Sequence, residues 1–146
     1  MSLVLAIHAD HLSVTIENSS AQELRLWEWD NSWGWYSLAF QARVDSSREI
    51  EIRHKSREWT KNGPTYFIVL PHEKQEVSID PRDGWWELAD AGSVGPELAS
   101  WQDRTVEIRV RLQIEPTPES DQFGIFTGTV FSEWIASRPP HGWLPI

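Results

Sequence analysis

The sequence predicts an all-β protein, an antiparallel sandwich of about 8–9 short strands with one or two helical turns. Three observations predict it. Apolar and polar residues alternate with a period of two in one segment after another between Leu12 and Ile114, the spacing that sends successive side chains to opposite faces of a strand. Turn-forming clusters, among them Asn18-Ser19-Ser20 and Asp80-Pro81-Arg82-Asp83-Gly84, punctuate these segments at intervals of roughly 8–12 residues. No segment carries the sustained apolar stripe of a long helix. The pattern leaves a closed barrel open as an alternative, and the chain, 1–146, is short enough to read as one domain.

The first alternating segment is Leu12, Val14 and Ile16 against Ser13, Thr15 and Glu17. Leu24 and Leu26 then alternate with Arg25 and Trp27, Asp30-Asn31-Ser32 supplies a turn, and Tyr36, Leu38, Phe40, Ala42 and Val44 resume the period. These two segments are expected to pair around the turn. After Asp45-Ser46-Ser47 comes a strand at Glu49–Arg53, then a polar segment from His54 to Asn62 that reads as a loop or edge strand. Thr65–Leu70, apolar on both parities, reads as a central strand, and Gln75–Ile79 as a short one. Residues Trp85 to Trp101 mix Gly, Pro and acids and have room for the helical turns. The clearest strand is Thr105–Glu115, with Val106, Ile108, Val110, Leu112 and Ile114 on one face and charged or amide side chains on the other. Pro116–Asp121 reads as an acidic loop, and Phe123–Trp134 as a final strand before Arg138-Pro139-Pro140. The expected core is Val14, Ile16, Leu38, Phe40, Ile52, Ile68, Val106, Ile108, Val110 and Leu112.

The layout resembles immunoglobulin-like domains of the bacterial intracellular proteinase inhibitor type. The resemblance lies in the Leu12-Ser13-Val14-Thr15-Ile16-Glu17-Asn18 strand, the Leu70-Pro71-His72-Glu73 turn into a short strand, and a closing hairpin. It implies an immunoglobulin-like β-sandwich and an inhibitor-like, protein-binding role. At position 72 this chain has His where such domains carry Gly after the proline, and no inhibitory residue can be carried over.

Composition narrows the function further. A formal charge of −9, from 22 acidic against 13 basic residues, disfavours nucleic acid and anionic membrane, which require clustered Lys or Arg. The absence of cysteine excludes disulfides and thiolate metal sites. The apolar run Leu3–Ile7 is too short for a signal peptide and has no basic residues before it. A cytoplasmic protein is therefore expected, unless the first residues replace a removed leader.

Ten tryptophans are the most informative feature, four of them within Trp27-Glu28-Trp29-Asp30-Asn31-Ser32-Trp33-Gly34-Trp35. If Leu24 and Leu26 point inward, parity turns Trp27 and Trp29 outward; if Tyr36, Leu38 and Phe40 point inward, Trp33 and Trp35 turn outward too. Four indoles would then form an aromatic platform, unless a loop or helix covers that face or a turn shifts the register by one. Trp59, alone among charged neighbours, has the composition of an interface anchor. Trp85-Trp86 and Trp143 read as plugs at the ends of the sandwich.

His8, Asp10 and His11 have metal-ligating chemistry, but a separation of three places the two histidines on opposite sides of a strand, and no metal or cofactor is expected. No Gly-x-Ser-x-Gly, His-Glu-x-x-His or glycine-rich phosphate loop is present. The reading is thus a non-catalytic protein-binding module using Trp27, Trp29, Trp33, Trp35 and Trp59, with an acidic surface suited to a basic partner. A carbohydrate-binding module is the alternative; it requires exposed coplanar indoles, with Asn31 and acids taking hydroxyls. An enzyme with a carboxylate site among Glu87, Asp90, Glu97 and Asp103 is the third reading.

Overall fold

The computed structural model describes residues 1–45, 48–89, 101, 103–139 and 142, and these are mostly antiparallel β-structure. In chain order the strands are β1 (Ser2–Ile7), β2 (Leu12–Glu17), β3 (Leu24–Trp27), β4 (Leu38–Asp45), β5 (Arg48–His54), β6 (Tyr66–Val69), β7 (Lys74–Ile79), β8 (Trp86–Leu88), β9 (Val106–Ile114), β10 (Gly128–Phe131) and β11 (Ile135–Ser137), with helix α1 (Pro118–Phe123) between β9 and β10. Three strands form a sheet in the order β1-β2-β7. Six form a second, ordered β10-β9-β4-β5-β8 with β11 also on β9, and β3 pairs with β6 alone. Among the described residues no helix is long and apolar enough to cross a membrane.

Alternation sets the registers. On β9 every second side chain from Val106 to Ile114 is buried, and its partner β4 aligns Phe40 with Val110 and with Ile52 of β5. A shift by one residue would send all of these apolar groups to solvent. Leu3, Leu5, Leu12, Val14 and Ile16 from the first sheet join these rows, together with Leu26, Val69, Trp86 and Trp101, in one apolar cluster. The opposite face of β9 is ionic: Arg43 meets Glu107 at 2.9 Å and Arg111 meets Glu51 at 2.7 Å. Arg109 lies 4.1 Å from the Phe131 ring and 4.4 Å from that of Trp134.

Several sequence expectations need correction. The structure has eleven strands among the described residues, because Leu3–Ile7 belongs to a strand, β1, Trp86–Leu88 forms β8 in a segment read as helical turns, and the region after Phe123 forms two short strands rather than one. The segments flanking the tryptophan cluster do not pair: β3 takes β6, and β4 takes β5 and β9. Tyr36 is 48% exposed because β4 begins only at Leu38. Ile68, expected in the core, is 41% exposed; β6 pairs only with β3, and its buried residue is Val69. The acidic loop contains α1, started by Thr117, whose hydroxyl accepts from the Ser120 N–H at 3.1 Å, with Pro118 at the first turn. Glu97, Asp90, His141 and Trp143, and residues 90–100 of the Trp85–Trp101 segment where helical turns were expected, lie outside the described residues.

A tryptophan cleft as candidate functional site

Residues 30–37 fold as consecutive turns, and this is why strand parity fails across them. Asn31 organises the turns. Its buried amide donates to the Thr65 carbonyl and hydroxyl, both at 3.0 Å, while its side-chain oxygen accepts from the N–H groups of Trp33 (3.0 Å) and Gly34 (2.9 Å). Gly34 then passes so close to β3 that a Cβ there would stand 1.9 Å from the Glu28 carbonyl oxygen. Only glycine fits.

The turns deliver Trp35 to the end of β5. Its Nε1–H donates to the Lys55 carbonyl at 2.9 Å, and its ring lies flat on His54, with centroids 4.0 Å apart and planes 13° from parallel. The other side of His54 meets Trp86 at 3.9 Å. Burial between the two indoles lowers the His54 pKa from 6.5, against the opposing pull of its Nδ1 contact with the Trp35 carbonyl and of Asp83. Near neutral pH His54 is therefore an uncharged imidazole that donates Nδ1–H to Trp35 and keeps Nε2 as an acceptor.

Trp59 and Trp85 stand edge-on to Trp35, at centroid distances of 5.7 and 5.5 Å and interplanar angles of 80° and 85°. The three rings surround one cation. The Arg57 guanidinium lies 4.5 Å from the Trp59 centroid, 5.1 Å from Trp35 and 5.4 Å from Trp85, all within cation–π range. Lys55 and the 83–85 turn fix the outer wall: Lys55 N–H donates to the Trp85 carbonyl (2.8 Å), Lys55 Nζ to that of Gly84 (2.7 Å), and Trp85 N–H to the Asp83 carboxylate (2.8 Å). Beside this cage opens a cleft of about 270 Å³ whose walls include Trp29, His54, Trp85 and Trp86 and whose acids are Asp30, Asp80 and Asp83.

The structure thus divides the five tryptophans singled out from sequence. Trp29 and Trp35 line the cleft, although Trp35 is only 7% exposed, and Trp59 stands against Trp35 in the cage beside it. Trp27, expected on an open face, is 1% exposed, covered by Phe123 of α1 at 6.1 Å and by Trp33 at 6.3 Å. Trp33 lines a separate cavity of about 410 Å³ with Tyr36, Arg111 and Glu115. The expected four-indole platform does not form, because the covering element lies in a segment read as loop. The sequence reading missed His54, Arg57 and the acids Asp30, Asp80 and Asp83, and read Trp85, here 43% exposed, together with Trp86 as a plug. A signal existed for Arg57 and Trp85, since an Arg-x-Trp pair in an extended segment shares one side, and adjacent Trp85-Trp86 on a strand must face opposite ways.

The cleft supplies rings, carboxylates and one neutral imidazole. Among the described residues no group of three or more His, Asp or Glu side chains is arranged to hold a metal ion. His8 and His11, expected on opposite sides of a strand, stack at 4.3 Å because residues 8–11 form the turn between β1 and β2. No protein-family model, curated protein or solved structure matches the chain.

Proposed function

We propose that this protein is a non-catalytic interaction module that engages a basic protein through the tryptophan cleft. The observation that carries the proposal is the cage of Trp35, Trp59 and Trp85 around a guanidinium, beside a cleft whose carboxylates are Asp30, Asp80 and Asp83. Aromatic walls with an acidic rim recognise cationic side chains, and a net charge of −9 attracts a basic partner over longer range. The ring geometry favours a protein over a sugar: the indoles stand 80° and 85° to Trp35 instead of coplanar, and Asn31 spends its amide on the backbone turn.

The proposal extends to the architecture, an immunoglobulin-like sandwich resembling the proteinase inhibitor domains. It is supported by the single core shared between the three-stranded and six-stranded sheets. It is supported also by the Leu70–Glu73 turn, where His72 has φ 62, a left-handed conformation suited to the glycine those domains carry there.

An array of arginine-rich, lysine-rich and neutral peptides, run beside an oligosaccharide array, tests the function. Basic peptides should be retained, more weakly as salt rises, and lost by Trp59→Ala and Trp85→Ala. Retention of oligosaccharides alone, or of neutral and basic peptides alike, overturns the proposal.

A further inference from the structure

We infer that the three-indole cage is a guanidinium subsite which Arg57 fills in the free protein, and that an arginine side chain of the basic partner displaces it. The inference rests on the interaction-module reading and names the group that the cleft takes. Arg57 is held differently from four arginines of the large sheet. Arg43, Arg53, Arg109 and Arg111 each lie within 4.0 Å of a carboxylate oxygen, whereas Arg57 has, among the described residues, contacts to rings and no ion pair. An exposed guanidinium without a counter-ion, inside a cage of the geometry that binds cationic ligands, stands where a ligand would stand.

Two of the three walls do not depend on the occupant. Trp35 is pinned by the Lys55 carbonyl and by His54, and Trp85 by Asp83 and Lys55. Arg57 itself sits in the irregular segment after β5, where few constraints oppose its withdrawal. Those two walls therefore remain when the side chain leaves, and Asp30 and Asp83 stay at the cleft to receive the incoming charge, while Asp80 is already paired with Arg82 at 3.0 Å. Internal occupancy weakens the apparent affinity by the fraction of time the cage stands open, so removing the occupant strengthens binding by that same factor.

The probe is N-acetyl-arginine amide, titrated into the full-length protein while the tryptophan indole N–H resonances and fluorescence are followed. N-acetyl-glutamine amide is the uncharged control. Arg57→Ala should bind the arginine probe about tenfold more tightly than wild type, Arg57→Lys should remain weak because a cation still fills the cage, and Arg57→Ala with Trp59→Ala should lose binding. Arg57→Gln gives the same reading if the alanine variant folds poorly. Equal affinity of wild type and both uncharged variants, or binding by none, overturns the inference, as does a fall in stability without a gain in affinity. The two readings fail separately. If basic peptides bind wild type through Trp85 while the Arg57 variants gain nothing, the module stands and the displacement falls; if the variants take the probe but no peptide binds, the cage stands and the module falls.

Discussion

Asn31 carries more of the site's geometry than any tryptophan does. Its side chain closes four hydrogen bonds, two within the turn to Trp33 and Gly34 and two across to Thr65, and each such bond contributes about 0.5–1.5 kcal/mol net. Asn31→Ala should therefore cost about 2–4 kcal/mol in urea unfolding and shift the tryptophan emission of the folded state. At position 72 a left-handed backbone burdens a residue with a Cβ, so His72→Gly should raise stability by about 0.5–1 kcal/mol despite the larger entropy of glycine in the unfolded chain. His54 makes a prediction about pH. Its pKa is lowered in the folded state by burial between Trp35 and Trp86, so the unfolded chain binds the proton more readily. Stability is full above the ordinary imidazole value of 6.5 and declines as pH falls through the lower folded value. Thermal unfolding midpoints should drop over that window and flatten in His54→Gln, while the carboxylates lowered by ion pairing, Asp10, Glu17 and Asp80, titrate in a more acidic range. Sequence made Asn31 legible as a turn residue but hid its reach to Thr65, 34 positions away. Nor did it disclose His54, an ordinary polar residue until two indoles close around it.

The legibility of each element follows from what holds it. The strand β9 was readable because it is paired on both sides, by β4 and by β10 and β11, with one face in the core, so that alternation runs unbroken along it. Val110 sits at its middle, fully buried against Phe40, and Val110→Ala should lower unfolding free energy by roughly 1–3 kcal/mol, measured by denaturant titration. An unchanged midpoint would place the residue outside the core. The short strands were harder: β3 has four residues and buries both Leu26 and Trp27, so parity carried no information there. Helix α1 spans six residues and has no apolar stripe, yet its cap was written in Thr117-Pro118 and in Ser120, whose hydroxyl accepts the Thr117 N–H at 2.8 Å. Helix α1 also decides the fate of Trp27. Because Phe123 covers that indole, Trp27→Ala should cost about 3–5 kcal/mol, whereas Trp85→Ala, at an exposed ring, should change stability by less than about 1 kcal/mol while abolishing peptide binding. The same unfolding titration separates the two.

For the whole molecule, alternation and turn spacing were enough to establish predominantly antiparallel β-structure, because these are local signals. Which strands pair is set by contacts between distant segments, and this is why β3 was matched to the wrong neighbour. Distance along the chain has a kinetic consequence. β4 completes its pairing only with β9, joining Leu38 to Leu112, and β2 must find β7, joining Leu12 to Ile79. Chains dominated by such separations fold in milliseconds to seconds, more slowly than helical proteins of like size, and stopped-flow refolding should fall in that range. The cleft inherits the delay. Its walls come from three stretches, 29–38, 54–57 and 77–86, so no fragment shorter than 29–86 contains the lining, and β4, which follows the first stretch, pairs with β9 only after residues that never touch the cleft have been made. On the proposed reading of the cleft, recognition would therefore report that the chain has folded past β9.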